Sequence, residues 1–131
     1  MVTEYLIAGA LAGILTVTHA CAGEMYFFKG ISRQSYPNTP FGDGEITRRL
    51  MKGAWHILTV TLLGVSVVLF AMAFTDLVES PKMVARMIAI LFVGATLVVA
   101  AYAVKRPDIL YRAPLWIATA GTAAFAYLGT L

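Results

Sequence analysis

Four long apolar runs, Leu6–Phe28, Leu50–Phe74, Met83–Val104 and Ala113–Leu131, leave this chain few ways to fold in water. Each is about long enough to cross the ~30 Å hydrocarbon core of a bilayer at ~1.5 Å rise per residue. Of the 131 residues, 60% are hydrophobic and 13% charged. A soluble domain of that size leaves a large fraction of its surface exposed and has nowhere to hide so much apolar area. The expected architecture is therefore all-α: an antiparallel bundle of four transmembrane helices forming one integral membrane domain over residues 1–131. The helices are predicted at about 4–28, 46–74, 82–104 and 113–130, with one long polar loop at 29–45. Nearly the whole chain is consumed, and no segment remains for a soluble catalytic module.

The formal charge of +3 arises from only ten basic residues, which points to membrane orientation and contact with anionic lipid, not to nucleic acid. A single cysteine, Cys21, permits no intramolecular disulfide, CxxC pair or cysteine-rich zinc site. The first five residues carry no basic side chain, and the apolar run continues too far for a cleaved signal peptide. Thr18-His19-Ala20-Cys21 lacks the aliphatic residue and basic leader of a lipidation site, so no lipid attachment is expected.

Charge asymmetry sets the predicted topology. Lys29, Arg33, Arg48, Arg49, Lys52, Lys105, Arg106 and Arg112 fall on one side, and Lys82 and Arg86 on the other. Eight against two under the positive-inside rule puts both termini on the non-cytoplasmic side and the long loop in the cytoplasm. Ser80-Pro81 reads as a helix start, Arg106-Pro107 as a stop and Ala113-Pro114 as the fourth start. Tyr26, Trp55, Tyr102, Tyr111 and Trp116 suit interfacial anchors at the cytoplasmic boundary. No internal repeat suggests an inverted-repeat transporter.

Chemistry concentrates in the first two runs. Gly9, Ala12, Thr16, His19, Gly23 and Tyr26 share one face of helix one, and Arg49, Lys52, His56, Thr59, Leu63 and Ser66 share one face of helix two. Both stripes are expected to face the bundle interior, because lipid offers polar groups no partner. Gly9 and Gly13 form a GxxxG, read as close packing within the bundle more than as a dimer contact. Counting inward from the cytoplasmic charges puts His19 at roughly 15 Å depth, His56 at roughly 10 Å and Glu24 at roughly 7–8 Å. Glu24 is about 140° around the helix from His19. It matches His56 or Lys52 in height, and a carboxylate there requires a basic partner.

The predicted polar intramembrane cluster is His19, Glu24, His56, Thr16, Thr59 and Lys52. Its plainest reading is structural and needs no cofactor: neutral rings bridging helices, with Glu24 on Lys52 or Arg49. Three sharper readings stand beside it. His19 and His56 would ligate a b-type haem, with Arg48, Arg49 or Lys29 receiving its propionates. His19, Glu24 and His56 would hold a transition metal. Thr16, His19, Glu24, His56 and Thr59 would line a proton or small-solute path. Arg86 is read as a snorkelling anchor paired with Asp76 or Glu79, and Asp43 as a turn and helix-entry device. The loop carries neither a phosphate-binding glycine pattern nor a nucleophile with its base.

His19-Ala20-Cys21-Ala22-Gly23-Glu24 and the Trp55-His56 pair that closes Arg49–His56 resemble the HxxxGE and Trp-His signatures of a group of small four-span bacterial membrane proteins. The resemblance covers the first two helices specifically and the rest by length and hydropathy. It implies a bacterial cytoplasmic (inner) membrane location and joint action of His19, Gly23, Glu24, Trp55 and His56; it carries no activity. The expected function is non-enzymatic: an accessory subunit or a proton- or small-solute-handling component. Its partners would be the bilayer and either further copies of itself or a larger membrane complex. The alternative is a haem- or metal-binding redox protein.

Overall fold

A computed structural model describes residues 1–30, 36–40, 42–112 and 114–131. Every regular element among them is helical. Helix α1 covers Thr3–Ala22, widens into a π-helical turn at Gly23–Phe27 and ends in Phe28–Gly30. Helices α2 (Gly44–Phe74), α3 (Pro81–Lys105) and α4 (Leu115–Leu128) follow, with one helical turn, Ile109–Arg112, ahead of α4. Arg33 and the expected Ala113 helix start lie outside the described residues.

Among the described residues, three helices are long and apolar enough to cross a membrane: the helical stretch Thr3–Phe27, α2 and α3. This marks an integral membrane protein. The fourth apolar run falls short of its expected extent. Helix α4 has 14 residues, about 21 Å against a ~30 Å core. Pro114 stands at its N-cap and Gly129 at its C-cap, so the chain turns at both ends of the run. Helix α2 is the opposite case. Its 31 residues span about 46 Å and overrun the core.

Local chemistry explains the helix ends. The Asp43 carboxylate accepts from the backbone N–H groups of Glu45 and Ile46 at 3.1 and 3.0 Å, satisfying donors that the first turn of α2 leaves open. Just before it, Gly42 takes a φ of +148°, where a side chain would be strained. Pro81 opens α3, while the Ser80 side chain makes no capping bond. Arg48 and Arg49 both reach back to Glu45, at 3.2 and 2.9 Å, and Arg106 pairs with Asp108 at 3.1 Å.

Helix α1 packs along both α2 and α4, and α3 packs along α4; α2 and α3 barely touch. Contacts between α1 and α2 fall along one helix as they rise along the other. Val2 N–H donates to Ala73 O at 3.1 Å, Ser66 Oγ–H to Gly9 O at 2.8 Å and Trp55 Nε1–H to His19 O at 3.0 Å. Tyr5 Oη–H donates to Gly129 O at 2.7 Å, and Thr96 Oγ1–H to Thr119 Oγ1 at 2.9 Å. The tight core gathers near the chain termini, around Tyr5, Ala8, Ala12, Leu69, Ala85 and Ala126.

Small residues make this packing possible. Lipid tails are as apolar as leucine, so helices associate through close contact and interhelical hydrogen bonds. A Cβ on Gly9 would stand 3.3 Å from Leu69 Cβ, and one on Gly13 3.2 Å from Ser66 Oγ. The GxxxG face therefore lies against α2. Gly64 has open space around it instead. Gly9→Val is expected to cost about 1–3 kcal/mol by overpacking, whereas Gly64→Ala is expected to gain about 0.5–1 kcal/mol from helix propensity. Thermal unfolding of both variants in one detergent checks this, and equal losses would contradict the packing.

Candidate functional site

The site begins at Gly23, where the winding of the first helix loosens. Phe28 N–H bonds to Gly23 O, five residues back, as in a π-turn. Gly23 is buried, and a Cβ there would overlap the Trp55 indole of α2. The missing side chain lets that ring lie directly on the α1 backbone and donate Nε1–H to His19 O. On one side the indole stacks with His19, centroids 4.1 Å apart and planes 12° apart. Phe27 stacks with it at 5.3 Å, and Phe28 meets it edge-on at 5.8 Å.

His19 is 8% exposed, and its Nδ1 lies 2.9 Å from Thr59 Oγ1. The Thr59 hydroxyl also lies 3.1 Å from Trp55 O, to which it donates its only hydrogen. Thr59 is then the acceptor, which assigns the proton of the neutral His19 ring to Nδ1.

A second group sits beside this one. Glu24 Oε1 lies 2.8 Å from Lys52 Nζ and 2.9 Å from His56 Nε2. Lys52 and His56 are one turn apart on α2, and Lys52 Nζ also lies 5.9 Å from the Phe28 ring centre. All three side chains remain 39–47% exposed. They occupy the flank of the α1–α2 pair.

The six residues of the expected polar cluster therefore divide. Glu24, Lys52 and His56 meet; His19 and Thr59 meet next to them. Thr16, though buried, turns back to bond Ala12 O at 2.8 Å and joins neither. The expectation that both stripes face inward needs correction for α2, where only Ser66 of its stripe is buried. The reason is that α2 has one close neighbour, α1, so polar groups on its contact edge are half-covered.

The ligand readings meet a geometric obstacle. A pair of histidines presenting Nε2 to one haem iron requires both of those atoms, and His56 Nε2 is turned to Glu24. Among the described residues, no three His, Cys, Asp or Glu side chains are grouped to share a metal ion, so His19, Glu24 and His56 do not form that set. Cys21 is exposed. Arg86 makes no ion pair with Asp76 or Glu79 among the described residues.

Two residues central to the geometry, Phe27 and Phe28, carry no signal as site residues in the sequence, whereas Trp55 reads both as an interfacial anchor and, through the resemblance, as one of the set with His19, Gly23, Glu24 and His56. The adjacency of Trp55 to His56, opposite a His-Gly-Glu run, is the available clue. Compared with protein-family models, curated proteins and solved structures, the chain matches none.

Trp55→Phe keeps an aromatic ring but loses the bond to His19 O, an expected cost of about 0.5–1.5 kcal/mol. Trp55→Ala also empties the stack, an expected cost of about 3–5 kcal/mol. Unfolding in detergent followed by circular dichroism measures both; equal costs would remove the stack as the organising contact.

Proposed function

We propose that this chain is a small non-enzymatic accessory subunit of the bacterial cytoplasmic membrane. In this reading it is an antiparallel four-helix bundle with both termini on the non-cytoplasmic side, and it docks on a partner through Glu24, Lys52 and His56. One observation carries the proposal: three ionisable side chains, each about half exposed, stand on the flank of helices long and apolar enough to span a bilayer. Lipid tails cannot satisfy the remaining donors and lone pairs of such a group. A neighbouring membrane helix with its own polar side chain can.

The same cluster supports proton conduction less well. Toward the chain termini the α1–α2 contact is filled by Ala8, Ala12, Leu69, Met72 and Ala73. Three hydroxyls found there are spent on backbone carbonyls, Tyr5 on Gly129, Ser66 on Gly9 and Thr122 on Ala118, while the buried Thr130 Oγ1 has no hydrogen-bond partner among the described residues. A proton leaving His19 or Glu24 in that direction meets apolar packing.

Two measurements test the reading. In proteoliposomes under a pH gradient, the purified chain is expected to leak protons no faster than protein-free vesicles; a flux abolished by Glu24→Gln would favour a pathway instead. On a native gel of mildly solubilised host membranes, the 14.1 kDa chain is expected in a larger complex that Glu24→Lys dissociates. Migration as a free single chain would overturn the accessory role.

A further inference from the structure

A groove of about 600 Å³ runs between α3 and α4, away from the Glu24 group. Ile90, Val93 and Leu97 line it from α3, and Ala120 and Ala124 from α4. The small α4 side chains keep it open. Thr96, the polar residue partway along, has its hydroxyl engaged with Phe92 O and Thr119 Oγ1 at 2.8 and 2.9 Å. The interior of the groove therefore makes no polar demand on an occupant.

Its one charged lining residue is Arg86. That side chain is exposed and has no hydrogen-bond or ion-pair partner among the described residues. It lies five residues into α3, within snorkelling reach of the headgroup level. From Arg86 to Leu97 the helix rises about 16 Å, close to one leaflet of a ~30 Å core. Tyr127 also lines the groove.

We infer that this groove seats one anionic glycerophospholipid of the leaflet at the α3 N-terminal end, its phosphate on Arg86 and one acyl chain along Ile90, Val93 and Leu97. The charge at one end, the apolar run behind it and the one-leaflet length all match that molecule. The pocket volume lies in the range of small-molecule sites. A second copy fits less well, because docking by the same face holds two Arg86 guanidinium groups at one depth with no acid in the groove between them.

Native mass spectrometry of the full chain, titrated separately with phosphatidylglycerol and phosphatidylcholine of equal chain length, tests the inference. Phosphatidylglycerol is expected to bind about fivefold more tightly at the first site, the effect of one cation near a membrane surface. Arg86→Gln should abolish that preference, and Arg106→Gln, at a position remote from the groove, should preserve it. Ala124→Phe, which fills an exposed position in the groove, should weaken the first site for both lipids while helical content stays unchanged. Equal affinity for the two lipids in the unaltered chain, or a preference that survives Arg86→Gln, overturns the proposal. Palmitate binding as tightly as phosphatidylglycerol would assign the groove to a free fatty acid, and a dimer lost on Ala124→Phe would assign it to a second copy; either outcome overturns it.

Discussion

The Trp55 indole resting on the bare backbone of Gly23 sets the register of the first two helices. With a methyl group at position 23 the ring could not lie there, and its Nε1–H could not reach His19 O. Once it does, the neighbouring contacts follow by helical spacing. Thr59, one turn after Trp55, meets His19; Lys52 and His56, flanking Trp55, meet Glu24 just past the glycine. The π-turn belongs to the same event, since wider winding at Gly23–Phe27 accompanies the placement of Phe27 and Phe28 around the indole. Farther along the pair, Gly9 and Ser66 repeat the scheme with a glycine under a side chain and a hydroxyl on a backbone carbonyl. In lipid, where apolar burial between helices gains little, such close approaches and polar bridges provide the directional part of assembly.

This arrangement divides the molecule into a closed end and an open end. Near the termini, alanines and glycines bring α1, α2 and α4 together, and the Tyr5, Ser66 and Thr122 hydroxyls are satisfied within the bundle. Around Trp55, the charged trio emerges on the flank. Because α3 is held chiefly through α4, helices α2 and α3 leave most of their facing surfaces free. The two lateral features differ in kind: a half-exposed polar group on the α1–α2 side and an apolar groove with one cation on the α3–α4 side. The first presents half-exposed polar side chains, the second an apolar lining that ends at a single cation.

Parts of this were legible residue by residue. Counting rise from Lys29 and Arg49 brings Glu24 to the height of Lys52 and His56, since α-helical rise is nearly constant. The about 140° offset read at α-helical spacing did not separate Glu24 from His19 in partner: both reach α2, in adjacent groups, with the π-turn at Gly23–Phe27 beginning between them. Gly9 and Gly13 could be read as a close-packing face without knowing which helix would fill it. The outward placement of Lys52 and His56 was not legible, because it depends on α2 having only α1 beside it. Neither was the seat of the indole, which joins Gly23 and Trp55, 32 positions apart. The short α4 shows the limit of hydropathy alone: Ala113–Leu131 is apolar enough throughout, yet Pro114 and Gly129 bound the helix inside it.

By itself the sequence determined that the chain would be helical and apolar, where the charges cluster along it, and where several helices begin: Asp43 caps α2 and Pro81 opens α3. Those properties depend on local composition, backbone chemistry and charge. The tertiary structure decided which helix each face meets. Apolar side chains surround most of these helices, so hydropathy imposes little preferred rotation about the helix axis. Rotation came instead from a few long-range fits, with Trp55 on Gly23, Leu69 by Gly9 and Tyr5 against Gly129, whose partners are far apart in the chain.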